Sequence, residues 1–319
     1  MKEAKYGMVM NATQMPQVVH VGAEVPLCSA RYREHFALHP WQDDPGFPGR
    51  DATALIAKAP VTAAMIAALP RLRHIAVYGV GYDKIDRAAA RARGIAITNT
   101  PGPTDGCVAD MAFALLLAAA RGIAAGDRYV REGRWLQGAF PLMPRIHSRP
   151  MGILGMGRIG REIARRAEAF GMPVLYHNRR PVPGVAYAFR DSALALARDC
   201  ELLMVACPGG EATRHLVNAE VLAALGPRGI VVNIARGTVI DEAALVAALQ
   251  NRTIAAAGLD VFEHEPQVPE ALMALDNAVL MPHRGGGTIE TWEECADMVI
   301  ANLLAHFAGA PLPNPIPDD

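Results

Sequence analysis

The segment Gly155-Met156-Gly157-Arg158-Ile159-Gly160 has the glycine spacing that lets a chain turn tightly against phosphate groups. It follows the apolar run Met151–Leu154 and opens the amphipathic stretch Arg158–Phe170. Strand, glycine turn and helix thus stand in the order that a dinucleotide's pyrophosphate requires. Gly155 permits the turn, Gly157 lets the backbone approach the pyrophosphate, and Gly160 lets helix and strand pack closely. The N–H groups of the first helical turn, at Arg158 and Ile159, then face the phosphates.

The next apolar run ends in Tyr176-His177-Asn178-Arg179-Arg180. An acid at this place would bind a ribose 2′-hydroxyl and repel a 2′-phosphate, whereas arginine binds a phosphate through a planar pair of donors. The expected cofactor is therefore NADP(H), with Arg179 the main contact, Arg180 second and Asn178 beside them; NAD(H) stays open. Three further strand ends carry reactive groups: Arg236 after Val231–Ala235, Asp260 to Glu265 after Gly258-Leu259, and His283 after Leu280-Met281-Pro282. Ligands in open α/β sheets bind at the carboxyl ends of strands, so a cation, a carboxylate and an imidazole are expected at one crevice. Each alone has a plain reading: Arg236 solvated at a strand end, His283 in a turn, Glu265 no different in composition from Glu263 or His264. In company with the glycine loop, that plain reading loses ground.

These groups need a scaffold, and the chain has one. Short apolar runs at 17–21, 54–57, 74–78, 151–154, 174–177, 202–206, 230–234, 254–259 and 278–281 alternate with helical stretches such as 158–170 and 241–250. Continuous apolar strands separated by helices predict parallel sheets covered on both faces. Breaker-rich segments at Thr98–Pro103 and Pro282–Thr288 mark two crossings between domains. The expected architecture is α/β, two Rossmann-like doubly wound domains. A dinucleotide domain at 102–284 is inserted into a substrate domain made of 1–101 and 285–319, with ligand binding at the hinge. The long stretch Ile289–Phe307 reads as a helix after the second crossing.

With 319 residues, 51% of them apolar, the chain can bury two cores. Its 31 Lys and Arg nearly balance 32 Asp and Glu, which gives no sign of a nucleic-acid or anionic-membrane partner. The run Met111–Ala120 is about half the length a bilayer needs and reads as a buried helix. Five scattered cysteines form no metal-ligand spacing and no disulfide framework, so a reducing cytoplasm is expected, with no metal. The first fifteen residues have no apolar signal core and read as a loose tail.

Taken together, the ordered motifs resemble those of the D-isomer-specific 2-hydroxyacid dehydrogenases, in particular the glyoxylate/hydroxypyruvate reductase branch. The resemblance runs from about residue 17 over nearly the whole chain. It is carried by Gly79-Val80-Gly81-Tyr82-Asp83, Asn99-Thr100-Pro101-Gly102, the glycine loop, Val232-Asn233-Ile234-Ala235-Arg236-Gly237, Gly258–Pro266 and Pro282-His283. It implies hydride transfer between a nicotinamide and a small 2-oxo or D-2-hydroxy acid. Arg236 would hold the substrate carboxylate and oxo oxygen, His283 would be the general acid or base, and Glu265 would orient His283. Val80 and Gly81 would bind the carboxylate through backbone N–H groups. Asp260 would meet the nicotinamide carboxamide, with Cys207 and Pro208 also in the cofactor site. A homodimer is implied, formed around Trp135 and Phe140-Pro141-Leu142.

The chain departs from that pattern at Lys58, read either as solvated at a strand end or as meeting the substrate and a second anionic group on it. It departs again at Arg284, read as solvated or as added charge near the site, where the following glycines loosen the hinge, and at Trp292, where relatives often carry arginine. The competing readings are a dinucleotide-binding sensor resembling a corepressor, and a formate dehydrogenase, whose histidine pairs with Gln where this chain has Glu265.

Overall fold

The computed structural model describes residues 15–317; the expected loose tail lies outside the described residues, except at Met15. The chain forms two compact units. One ends at Thr104 and resumes at Thr288; the other, Asp105–Gly287, is inserted between these two parts. The expected crossings lay three residues earlier at each end, a small shift that hands the start of the helix Thr104–Arg121 and the 285–287 turn to different units.

The first unit has five parallel strands: β1 (Gln17–Val21), β2 (Ala37–Pro40), β3 (Ala54–Ala57), β4 (His74–Val77) and β5 (Ala96–Thr98). Their order is β2-β1-β3-β4-β5. Successive side chains alternate between faces, so Leu55 and Ala57 join one core with Val19, Ile75 and Val77. Ala54 and Ile56 join another with Val18, Ala76 and the helix Ile289–Phe307, through Ala296, Val299, Ile300 and Leu303. Burial on both faces explains why β3 reads as an unbroken apolar run and β4 as one after His74.

The second unit has seven parallel strands: β6 (Met151–Leu154), β7 (Val174–His177), β8 (Ala188–Arg190), β9 (Leu202–Val205), β10 (Ile230–Asn233), β11 (Ala256–Leu259) and β12 (Ala278–Leu280). They run β12-β11-β10-β9-β6-β7-β8, so the strand order reverses between β6 and β9. That switch point is where a doubly wound sheet opens a crevice at its carboxyl edge. Leu154, Val205, Val231 and Leu259 face one core, and Met151, Ile153, Met204 and Val232 the other.

Three strands, β2, β5 and β8, escape the sequence pattern. All three lie at sheet edges, only three or four residues long, and β2 and β8 are not fully buried, so neither periodicity nor an apolar run marks them. The helix Thr104–Arg121 buries seven residues, including Leu115 and Leu116, as its Ala/Leu composition predicts. Among the described residues no single helix is long and apolar enough to cross a membrane. That helix and Ile123–Arg131 together pass on length and composition, but they are bent by 58°.

Candidate active site

The glycine loop sits at the β6/β9 switch point, and steric limits fix its residues. Gly155 has φ of 105°, and a Cβ there would lie 2.5 Å from the Cys207 nitrogen. A Cβ on Gly160 would lie 2.1 Å from the Gly155 carbonyl oxygen. Neither position tolerates a side chain. Gly157 is different: its missing Cβ faces open space, with nothing within 4 Å. Gly157 also caps the helix Arg158–Ala169 without any side-chain hydrogen bond, whereas Asp241 and Thr288 cap their helices through side-chain oxygens. The chain thus leaves room and backbone donors at one point, which fits a pyrophosphate. Ile159 packs into the core beneath, and Arg158 reaches sideways to Asp105 at 2.8 Å. Cys207 is buried against the loop, its thiol pushed up to about 11 by that burial, so it packs rather than reacts; Pro208 beside it is exposed.

Beyond β7, Asn178 turns inward: its Oδ1 accepts the Met156 N–H at 2.6 Å and ties the strand end to the glycine loop. Arg179 and Arg180 are exposed and, with Asn178, line a cavity of about 590 Å³. None of these three described lining residues is an acid that would repel a phosphate. The residues present therefore fit a nicotinamide dinucleotide.

The other strand ends of this unit carry the remaining groups. At the end of β10, buried Asn233 makes a tight local turn: its Oδ1 accepts the Ala235 N–H at 3.0 Å, and its Nδ2 donates to the Arg236 carbonyl at 2.9 Å. Half-buried Arg236 then projects from the strand end, one nitrogen donating to the Ala235 carbonyl at 2.8 Å. Gly209 leaves room for it, since a Cβ there would lie 2.5 Å from Arg236 Cγ.

His283 and Glu265 come together. His283 Nδ1 lies 2.9 and 3.0 Å from the two Glu265 oxygens, so Nδ1–H donates to the carboxylate and Nε2 is left to face outward. Glu265, and neither Glu263 nor His264, is thus the histidine's partner. His283 adopts φ of 55°, a left-handed conformation unusual for a side chain of this size. Asp260 holds it there. The His283 N–H donates to the Asp260 carbonyl at 2.8 Å; the Asp260 carboxylate accepts from Arg284 N–H at 2.6 Å and Gly285 N–H at 2.7 Å. Burial pushes the Asp260 carboxyl up, and those two N–H groups pull it back. Asp260, expected beside the carboxamide, holds the histidine loop with both oxygens. A Cβ on Gly285 would lie 2.9 Å from Asp260, so the first of the three glycines leaves the room that the Asp260 carboxylate occupies. Arg284 is exposed.

In the first unit, the Val80-Gly81 loop follows β4. Gly79 N–H donates to Thr100 Oγ1 at 2.8 Å, and Asn99 Nδ2 donates to the Val80 carbonyl at 2.8 Å. Asn99 and Thr100 therefore shape this loop, a role that spacing alone did not reveal. Lys58 stands at the end of β3 with its ammonium 4.4 Å from the Trp292 ring centre and 5.2 Å from that of Tyr78. Lys58 and Trp292, two separate departures in sequence, are one cation–π cluster. Among the described residues no group of three or more His, Cys, Asp or Glu is placed to hold a metal.

A glycine-loop α/β unit with a His–Glu pair and an arginine at neighbouring strand ends defines a nicotinamide-dependent oxidoreductase. The family model described as "D-isomer specific 2-hydroxyacid dehydrogenase, NAD binding domain" matches residues 113–285, and the chain belongs to that family. It is 46% identical over 260 residues to glyoxylate/hydroxypyruvate reductase A of Arabidopsis thaliana, covering 82% of this chain and 83% of that protein. It is also 46% identical over 254 residues to hydroxyphenylpyruvate reductase of Plectranthus scutellarioides, covering 80% and 81%. Among solved structures it resembles the NADPH-dependent glyoxylate/hydroxypyruvate reductase of Sinorhizobium meliloti in complex with NADP and malonate. That likeness has a TM-score of 0.90 and 40% identity, and covers 95% of this chain and 97% of that one.

Proposed function

We propose that the protein is an NADPH-preferring reductase of small 2-oxo acids, acting on glyoxylate or hydroxypyruvate to give the 2-hydroxy acid, in its D form where the product is chiral. The observation that carries the substrate chemistry is His283 Nδ1 held at 2.9 Å by Glu265, which commits Nε2 to proton transfer. When bound, the reduced nicotinamide supplies the hydride. Arg236 grips the carboxylate and polarises the oxo group through its planar guanidinium. His283 donates its Nε2 proton to the oxo oxygen, and Glu265 stabilises the charged imidazole before transfer. In the first unit, Val80 and Gly81 offer backbone N–H groups for carboxylate binding, and Lys58 lies at the neighbouring strand end.

The NADPH preference rests on Arg179 and Arg180, which with Asn178 line the cavity, and agrees with the NADP bound by the Sinorhizobium relative. Asp260 is assigned to the cofactor site through the loop it holds. The test is a panel of glyoxylate, hydroxypyruvate, pyruvate and hydroxyphenylpyruvate with NADPH and with NADH. Highest kcat/KM for glyoxylate or hydroxypyruvate with NADPH supports the reading; a best substrate with an aromatic side chain, or preference for NADH, overturns the corresponding half.

We also infer a cytosolic homodimer. The five cysteines are free thiols. Leu136 and Leu142 are 95% and 102% exposed, and Trp135, Ile123 and Val130 are exposed as well, apolar surface suited to a second copy. Sedimentation of wild type and of Leu136→Glu/Leu142→Glu tests it: a monomeric wild type would defeat the dimer.

A further inference from the structure

We propose that Glu263, two residues before the Glu265 that pairs with His283, is a positioning residue for that pair. The inference rests on the catalytic assignment of Glu265 and His283. Glu263 lies where three loops of the second unit meet. Its largely buried carboxylate accepts from Arg214 Nη2 at 2.8 Å and from His215 Nε2 at 3.0 Å. Burial works to raise its pKa, but the hydrogen bonds and charge of His215 and Arg214 outweigh burial and hold it below the usual carboxylate range. Its own N–H donates to Glu242 Oε2 at 3.2 Å, at the start of the helix Glu242–Gln250.

The donors are themselves anchored. His215 has φ of 50°, and its N–H donates to the Thr238 carbonyl at 2.8 Å, within the turn that follows Arg236. Gly237 in that turn packs on the loop's backbone, since a Cβ there would lie 1.9 Å from the Phe262 carbonyl carbon. The Phe262 N–H in turn donates to Glu265 Oε1 at 3.3 Å. One carboxylate therefore ties the segment beside Arg236 to the loop that presents Glu265. Without it, the Phe262–Glu265 loop keeps its contact with the Arg236 turn but loses its only side-chain tether to 214–215 among the described hydrogen bonds. A displacement of about 1 Å at reacting groups costs up to about 100-fold in turnover.

The experiment compares Glu263→Ala, Glu263→Gln, Glu265→Gln and the double variant Glu263→Ala/Glu265→Gln. Positioning predicts that Glu263→Ala lowers kcat about 10- to 100-fold. NADPH Kd, read by fluorescence, should stay within about twofold, because the glycine loop is untouched. Glu263→Gln, which keeps an acceptor oxygen, should recover most of the loss. In the Glu265→Gln background, Glu263→Ala should add little, because the residue it positions is already disabled. Equal fractional losses in both backgrounds, or a matching loss of NADPH affinity, would overturn the positioning role alone. Wild-type turnover by Glu265→Gln would overturn the catalytic pair as well. If Glu263→Ala does not fold, Arg214→Ala removes one exposed donor, and its smaller loss must show the same non-additivity.

Discussion

Replacing Asn178 by Asp adds one negative charge at the ribose end of the cofactor site with almost no change in shape. The substitution is a clean probe because Asn178 Oδ1 accepts the Met156 N–H at 2.6 Å, and a carboxylate oxygen accepts it equally well. The glycine loop should therefore stay in place. A 2′-phosphate carries about two negative charges near neutral pH. At a separation of about 5 Å and an effective dielectric constant of about 40 to 80, suited to an open cavity, the new repulsion is about 2 to 3 kcal/mol. That corresponds to a fall of about 20- to 200-fold in kcat/KM with NADPH. NADH should be unaffected or improved, since the acid can accept from the 2′-hydroxyl. The assay is kcat/KM with both cofactors at low and at 0.5 M ionic strength (about 4 Å Debye length), where screening should shrink the NADPH effect. An equal loss with both cofactors would mean that Asn178 serves only the loop, and that the arginines do not read a 2′-phosphate.

The glycine loop makes a paired prediction. Gly160→Ala drives a Cβ into the Gly155 carbonyl and should destabilise the second unit by about 2 to 4 kcal/mol in denaturant unfolding. Gly157→Ala meets open space and should leave stability within about 1 kcal/mol while weakening NADPH binding; intact affinity would contradict the pyrophosphate site. His283→Ala should lower kcat by about 100- to 10,000-fold with NADPH Kd preserved, and near-normal turnover would remove it as the acid. In the first unit, buried His74 donates to or accepts from Thr98 at 2.9 Å, and burial, followed by the charge of His306, lowers its pKa to about 3. Its folded value lies below its ordinary 6.5, so its neutral form contributes stability above pH 6.5 that is lost as the pH falls toward 3. The loss at pH 5 is about 2 kcal/mol, and His74→Phe should reduce the difference in stability between pH 7 and pH 5 by that amount, followed by Trp41 and Trp292 fluorescence.

Much of the site could be read from contiguous residues. Steric exclusion at Gly155 and Gly160 acts within one loop, so the motif declares itself. Strands buried on both faces are mostly apolar, so β3, β4, β6, β9 and β10 stand out despite His74 in β4 and Asn233 in β10. Arg236, Glu265 and His283 lie within three to six residues of the ends of β10, β11 and β12, so their shared edge was legible once the strands were.

What only the tertiary structure decided depends on residues far apart in the chain. Choosing Glu265 over Glu263 and His264 required the position of His283, eighteen residues on; Glu263 instead faces His215, 48 residues back. That the Asp260 carboxylate holds the histidine loop could be seen only once the backbone of Arg284 and Gly285 was placed on its two oxygens. Lys58 and Trp292 looked like unrelated departures until the first unit brought ammonium and ring together. Local sterics and burial periodicity are properties of short segments, and the sequence carries them openly. The partner of a hydrogen bond is set by which strand ends the sheet order brings together, and no single segment contains that order.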